Sequence, residues 1–177
     1  MERVIVERAL DDTLTSDAIH ALSAQLAECM AQHRVRPLQT LLAHDGRRMV
    51  CDFAAPDAEA VRRVNRQGGV PARAIWTSTI HEAPPRPERS PDPLVVVERS
   101  FDTAVDFATV QAIEDAGAWC LDVHRVRFVR TYFARDRRRM LCLYRAPDAE
   151  AVRRTQQQMG LPFDAVWPAH LEVHPTP

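Results

Sequence analysis

This chain contains itself twice, and the duplication restricts its fold more than any other feature. A gap-free shift of 91 residues lays residues 4–76 on 95–167. Val4-Ile5-Val6-Glu7-Arg8 falls on Val95-Val96-Val97-Glu98-Arg99, and the run Ala55 to Arg63 is identical to Ala146 to Arg154. All four cysteines obey the shift, Cys29 on Cys120 and Cys51 on Cys142. Each half must therefore be one supersecondary unit that buries a face against its copy. A half of this length is near the size where a core of its own becomes marginal, so mutual burial is the expected remedy.

Inside each half the patterns recur in one order. Residues 3–8 and 94–99 are β-branched runs, and 15–33 and 106–124 have helical spacing. Strands follow at 35–43 and 126–134, then at 48–54 and 139–145, around a charged turn. A second helix, 57–67 or 148–158, starts at Asp57 or Asp148 as N-cap and stops at Gly69 or Gly160 with a proline two residues on. A last strand carries Trp76 or Trp167. The order β-α-β-β-α-β is the split βαβ unit of ferredoxin-like folds. Between the halves, the prolines of 83–93 favour extended backbone without ladder donors and predict a linker, with repeats at 1–82 and 94–177. Such a unit carries helices on one sheet face and leaves the other bare. The expected fold class is α+β: two tandem ferredoxin-like repeats packed sheet to sheet as an intramolecular pseudo-dimer, as a sandwich or as a barrel of the dimeric α/β-barrel type. A cleft at that seam is the expected site for a small apolar ligand, and a further homodimer is compatible with the pattern.

Composition narrows the function classes. The 23 basic residues are all arginine, which removes Schiff-base chemistry and the P-loop phosphate grip. With 24 acidic residues the net charge is −1, so no basic field draws nucleic acid, and Arg135 to Arg139 reads as a solvated turn. No apolar run approaches the roughly 20 residues of a membrane span. The opening residues read as a strand rather than a secretory signal, which predicts a cytoplasmic protein with reduced thiols. No G-x-S-x-G elbow and no H-E-x-x-H helix occurs.

The candidate functional residues come in symmetric pairs. Cys29 and His33, and likewise Cys120 and His124, stand four apart on one helix face, a spacing that can offer a thiolate and an imidazole to nickel or another divalent transition metal. The same positions continue the core seam, where cysteine packs as a small hydrophobe. Cys51 and Cys142 sit mid-strand as further thiol candidates. Glu7 and Glu98 end apolar strand runs, and Asp52 replaces Leu143, so three carboxylates are candidate acids or bases if their face is the one between sheets. Thr40 and Thr131 are hydroxyls placed to reach the same cavity as ligand-binding groups.

These residues also carry a resemblance. Val95 to Arg99, Thr131-Tyr132, Asp136, Cys142 to Asp148, Val152-Arg153 and Gly160-Leu161-Pro162 resemble the small nickel-binding, ferredoxin-like bacterial domain family. The first half matches at Val4 to Arg8, Thr40, Asp45, Cys51, Ala55-Pro56-Asp57, Val61-Arg62 and Gly69-Val70-Pro71. The chain departs from it at Val64 and Thr155, where members often carry a histidine. The resemblance implies a tandem fusion of two such domains and a metal-binding protein. The alternative, by analogy with the wider barrel group, is a small-molecule-binding protein or an enzyme of isomerase, cyclase or monooxygenase type.

Overall fold

The computed structural model describes residues 1–84 and 92–173. Within the expected linker, residues 85–91 lie outside the described residues, as does His174. The elements are β1 (Glu2–Ala9), α1 (Ser16–Gln32), β2 (Arg36–Ala43), β3 (Arg48–Ala55), α2 (Ala58–Gln67), β4 (Ala74–Glu82), β5 (Leu94–Ser100), α3 (Phe107–Ala116), α4 (Ala118–Val123), β6 (Arg127–Ala134), β7 (Arg139–Arg145), α5 (Ala149–Gln158) and β8 (Ala165–Val173).

The strands follow one another as β1-β3-β2-β8-β5-β7-β6-β4 in a closed barrel. This corrects the expectation of two ferredoxin-like repeats packed sheet to sheet. An open four-stranded sheet ends in strands with unpaired N–H and C=O groups, and closure removes every such edge. The chain divides into two compact units, one of residues 1–78 with 170–177 and one of residues 79–169.

In the first unit β1 pairs antiparallel with β3 and β4, and β3 pairs with β2. Val4, Val6 and Arg8 point to the helix side of β1, because alternate residues share a face. Val4 and Val6 pack there with Ile19 and Met30 of α1, Met49 and Cys51 of β3, and Val61 and Val64 of α2. The second unit repeats this with Val95, Val97, Val110, Met140, Cys142, Tyr144 and Val152.

Local chemistry sets the helix limits. The Asp57 and Asp148 carboxylates accept from the Ala60 and Ala151 amides at 2.8 and 2.7 Å, satisfying one orphan donor each. After α2 and α5, Gly69 and Gly160 turn left-handed at φ +62° and +69°. The helix expected at 106–124 is two helices, because Gly117 interrupts it where the first copy has Leu26. A Cβ at Gly117 would lie 2.4 Å from Met159, so the break admits that side chain. Beyond the break Trp119 stands 62 % exposed.

The hairpin between β2 and β3 turns at Gly46, φ +68°, and its copy turns at Arg137, φ +60°. A Cβ at Gly46 would meet Thr13 Cγ2 at 2.6 Å and the Leu14 carbonyl at 2.7 Å. The copy has Ala104 where the first half has Thr13, which gives the arginine room. Gly46→Ala should therefore cost about 1–2 kcal/mol from the left-handed backbone alone, and Thr13→Ala should recover part of any excess. Thermal unfolding of the two single variants and the double variant checks this. A neutral Gly46→Ala would refute the steric account.

Candidate functional site

Three groups of side chains gather the residues singled out above. The first lies at the C-terminal ends of α1 and α4. His33 caps α1, its amide donating to the Cys29 carbonyl at 3.2 Å, and both side chains are half-buried. The Cys29 thiol donates to Gln67 Oε1 at 2.7 Å rather than turning to the imidazole. His33 lines a cavity of about 230 Å³ with Asp57 and Glu59 at the start of α2. The Glu59 carboxyl is held below its ordinary value chiefly by a hydrogen bond from Arg66, reinforced by the charges of Arg66, Arg63 and Arg62. In the copy Cys120 is buried, and Gln158, the counterpart of Gln67, instead meets His124 Nε2 at 3.0 Å.

The second group sits between helices and sheet. Cys51 is the cross-strand partner of Thr40, and Cys142 of Thr131. Both thiols are buried, and Thr131 Oγ1 donates to Cys142 Sγ at 3.2 Å. Burial pushes the Cys142 thiol and the Tyr144 phenol above their ordinary values. Tyr144 donates its hydroxyl to Glu114, a buried carboxyl on α3 that burial also raises. Arg99 lies in the same cluster, where burial lowers its pKa but Cys142, Tyr144 and Glu114 together outweigh that and raise it.

The third group occupies the sheet face opposite the helices. Glu7 accepts from Trp76 Nε1 at 2.6 Å and from Arg73 at 2.7 Å, and Glu98 accepts from Trp167 Nε1 at 2.8 Å. Asp52 takes two bonds from Arg3, one from Nε at 2.9 Å. The structure thus brings Thr40 together with Cys51, and Thr131 with Cys142, while the three candidate acids lie on the other face of the sheet. Among the described residues, no three His, Cys, Asp or Glu side chains converge to hold a metal ion. The donors suit nickel in kind, but they do not form a resident metal centre.

Sequence reasoning missed Trp76 and Trp167 as partners of the glutamates, although the 91-residue shift pairs them. It also missed Glu114, which interrupts an apolar helix face and aligns with Ser23. An open groove of about 700 Å³ along α3 and α4, lined by Ile113, Trp119 and Met159 among others, holds no charged side chain.

The family model for the nickel responsive protein SCO4226-like matches the chain twice, over residues 5–77 and 96–168. The chain belongs to that family. The two matches make it a tandem duplication of the family's domain. No curated protein matches it. Among solved structures, a protein provisionally assigned as chlorite dismutase TA0507 shares 12% identity at a TM-score of 0.53, covering 97% of this chain and 94% of its own. A heme-binding protein from Thermus thermophilus shares 11% identity at a TM-score of 0.49, covering 96% and 90%. At such identity the first supports the barrel fold alone. None of the described helices is long and apolar enough to cross a membrane.

The buried acids generate two predictions. The second half carries Leu94 and Leu143 where the first has Arg3 and Asp52. Asp52 is 2 % exposed and Arg3 33 %, so removing the arginine strands a buried carboxylate, whereas replacing both with apolar groups leaves none. Arg3→Leu/Asp52→Leu should unfold in denaturant closer to the wild type than Arg3→Leu does; the reverse order would argue against the pair as a replaceable structural element. For Glu114, a folded pKa above 4.5 means that the protonated form is favoured in the fold. Its stabilisation is complete below about pH 4.5 and is lost as pH rises through the raised value. Glu114→Gln should flatten that part of the stability curve, and an unaltered slope would show that the group does not titrate there.

Proposed function

We propose that this protein binds nickel as a reversible ligand through His33 and His124, the imidazoles at the C-caps of α1 and α4. What carries the reading is that both histidines fall inside the two family matches, each at the same position, with an aspartate and a glutamate of the next helix repeated alongside. In the first half these three donors line one cavity. Imidazole nitrogen and carboxylate oxygen suit a borderline divalent ion. Asp57 is committed to capping α2 and Glu59 to its arginines, so the ion would displace existing partners and keep several waters. Such a site favours exchange over permanent retention, which fits a protein that responds to a metal rather than storing it. Cys51, Cys120 and Cys142 are left out of this reading because all three are buried.

A ligand that binds only the folded state raises its melting temperature by mass action. Nickel should raise that of the wild type and bind at up to one equivalent per half. His33→Ala/His124→Ala should weaken binding at least about tenfold, a loss of about 1.4 kcal/mol, with no change in the melting temperature without metal. His44 and His170 stack with ring centroids 4.0 Å apart and provide the internal control. If calorimetry shows binding intact in the His33/His124 variant and lost in His44→Ala/His170→Ala, the assignment is wrong.

A further inference from the structure

The two halves treat one buried arginine differently. Arg8 is 7 % exposed and Arg99 3 %. Arg8 donates to the Pro71 carbonyl and to Asn65 Oδ1, and Arg99 to the Pro162 carbonyl and Gln156 Oε1, so both have neutral acceptors at matching positions. Nε is buried without a partner in both. Arg99 in addition shares its buried cluster with Glu114, whose carboxyl accepts from the Tyr144 hydroxyl. Arg8 has Ser23 at that position, and among the described residues no carboxylate pairs with it. A buried guanidinium with only neutral acceptors is costly, and a carboxylate is the group that best relieves it.

The space for such a group is present. A cavity of about 50 Å³ lies between α1 and the sheet, lined by the polar side chains of Arg8, Ser23, Thr40, Cys51 and Asn65 and by apolar ones from α1, α2, β2 and β3. In the second half four of its lining positions carry larger groups, Glu114 for Ser23, Tyr144 for Phe53, Phe128 for Pro37 and Gln156 for Asn65, while Gly117 for Leu26 and Val110 for Ile19 are smaller. Phe128 packs edge-on against Tyr144 with centroids 5.9 Å apart, and Tyr144 holds Glu114. The second half thus supplies from its own chain a carboxyl group that the first half lacks.

We infer that the first half binds a short-chain monocarboxylate in this cavity, its carboxylate at Arg8 and its alkyl end among Ile19, Leu22, Leu26, Met30 and Met49. One water needs roughly 10–15 Å³ of such a cavity, so this one takes about three to five non-hydrogen atoms, with acetate inside that range and propionate at its upper end. The half-buried Leu22, Ser23 and Leu26 of α1 form the route of entry. The site uses none of the residues assigned to nickel and stands independently of that reading.

The test uses propionate on the full-length protein, with chloride at equal ionic strength and neutral propionamide as controls. Propionate should give a saturable rise in melting temperature that propionamide does not, and its methyl protons should show nuclear Overhauser contacts to the Met30 and Met49 methyl groups. Ser23→Glu/Phe53→Tyr, which transplants the second half's own carboxyl group, should abolish both signals. Absence of saturable binding, an equal effect of propionamide, or binding retained in a folded double variant would each overturn the inference. If the double variant does not fold, the methyl contacts in the wild type decide alone, and their absence overturns it.

Discussion

Val4, Ile5 and Val6 are all fully buried, and so are Val95, Val96 and Val97. Successive strand residues face opposite ways, so β1 and β5 have both faces out of water. Each strand must then be covered by helices on one side and by other protein on the other, and any polar group on either face needs a partner inside the fold. The positions just beyond these runs show the result. Glu7 and Glu98 face away from the helices and are held by indole N–H groups. Arg8 and Arg99 face the helices and are held by carbonyl oxygens after the second helix and by a side-chain amide. The polar clusters of this protein are consequences of a strand that has no wet side.

Duplication lets the same frame carry different interiors. Asp52 with Arg3 in one half corresponds to two leucines in the other, and Ser23 with Phe53 corresponds to Glu114 with Tyr144. Three of these four sets are matched, charge with charge, apolar with apolar and acceptor with hydroxyl, while Ser23 with Phe53 leaves a cavity beside Arg8. A buried position changes safely only together with its neighbours, because a stranded donor or charge costs more than a lost contact.

Strands and helices were legible where the signal is local. The β-branched runs, the aspartate caps and the left-handed glycines each act within a few residues, and the elements appear where those signals stand. The choice between a sandwich and a barrel was not legible, since alternation in β2 or β6 says which face is buried and nothing about what lies along the strand's edge. Gly117 was read through as part of a helix because a helix tolerates one glycine, and the role of Met159 in filling the break depends on packing from α5. The contrast between Ser23 and Glu114 was available from the 91-residue shift, but its meaning required Arg99 and Tyr144 to be placed beside it in space.

The three tryptophans divide by environment. Trp76 and Trp167 are 7 % and 6 % exposed, one in each compact unit, and each donates its indole N–H to a glutamate. Trp119 stands in solvent beyond the helix break. Intrinsic fluorescence should therefore carry one quencher-accessible emitter over two shielded ones, and replacing Trp76 by phenylalanine would leave Trp119 and Trp167, both in the unit of residues 79–169, as reporters of that unit alone.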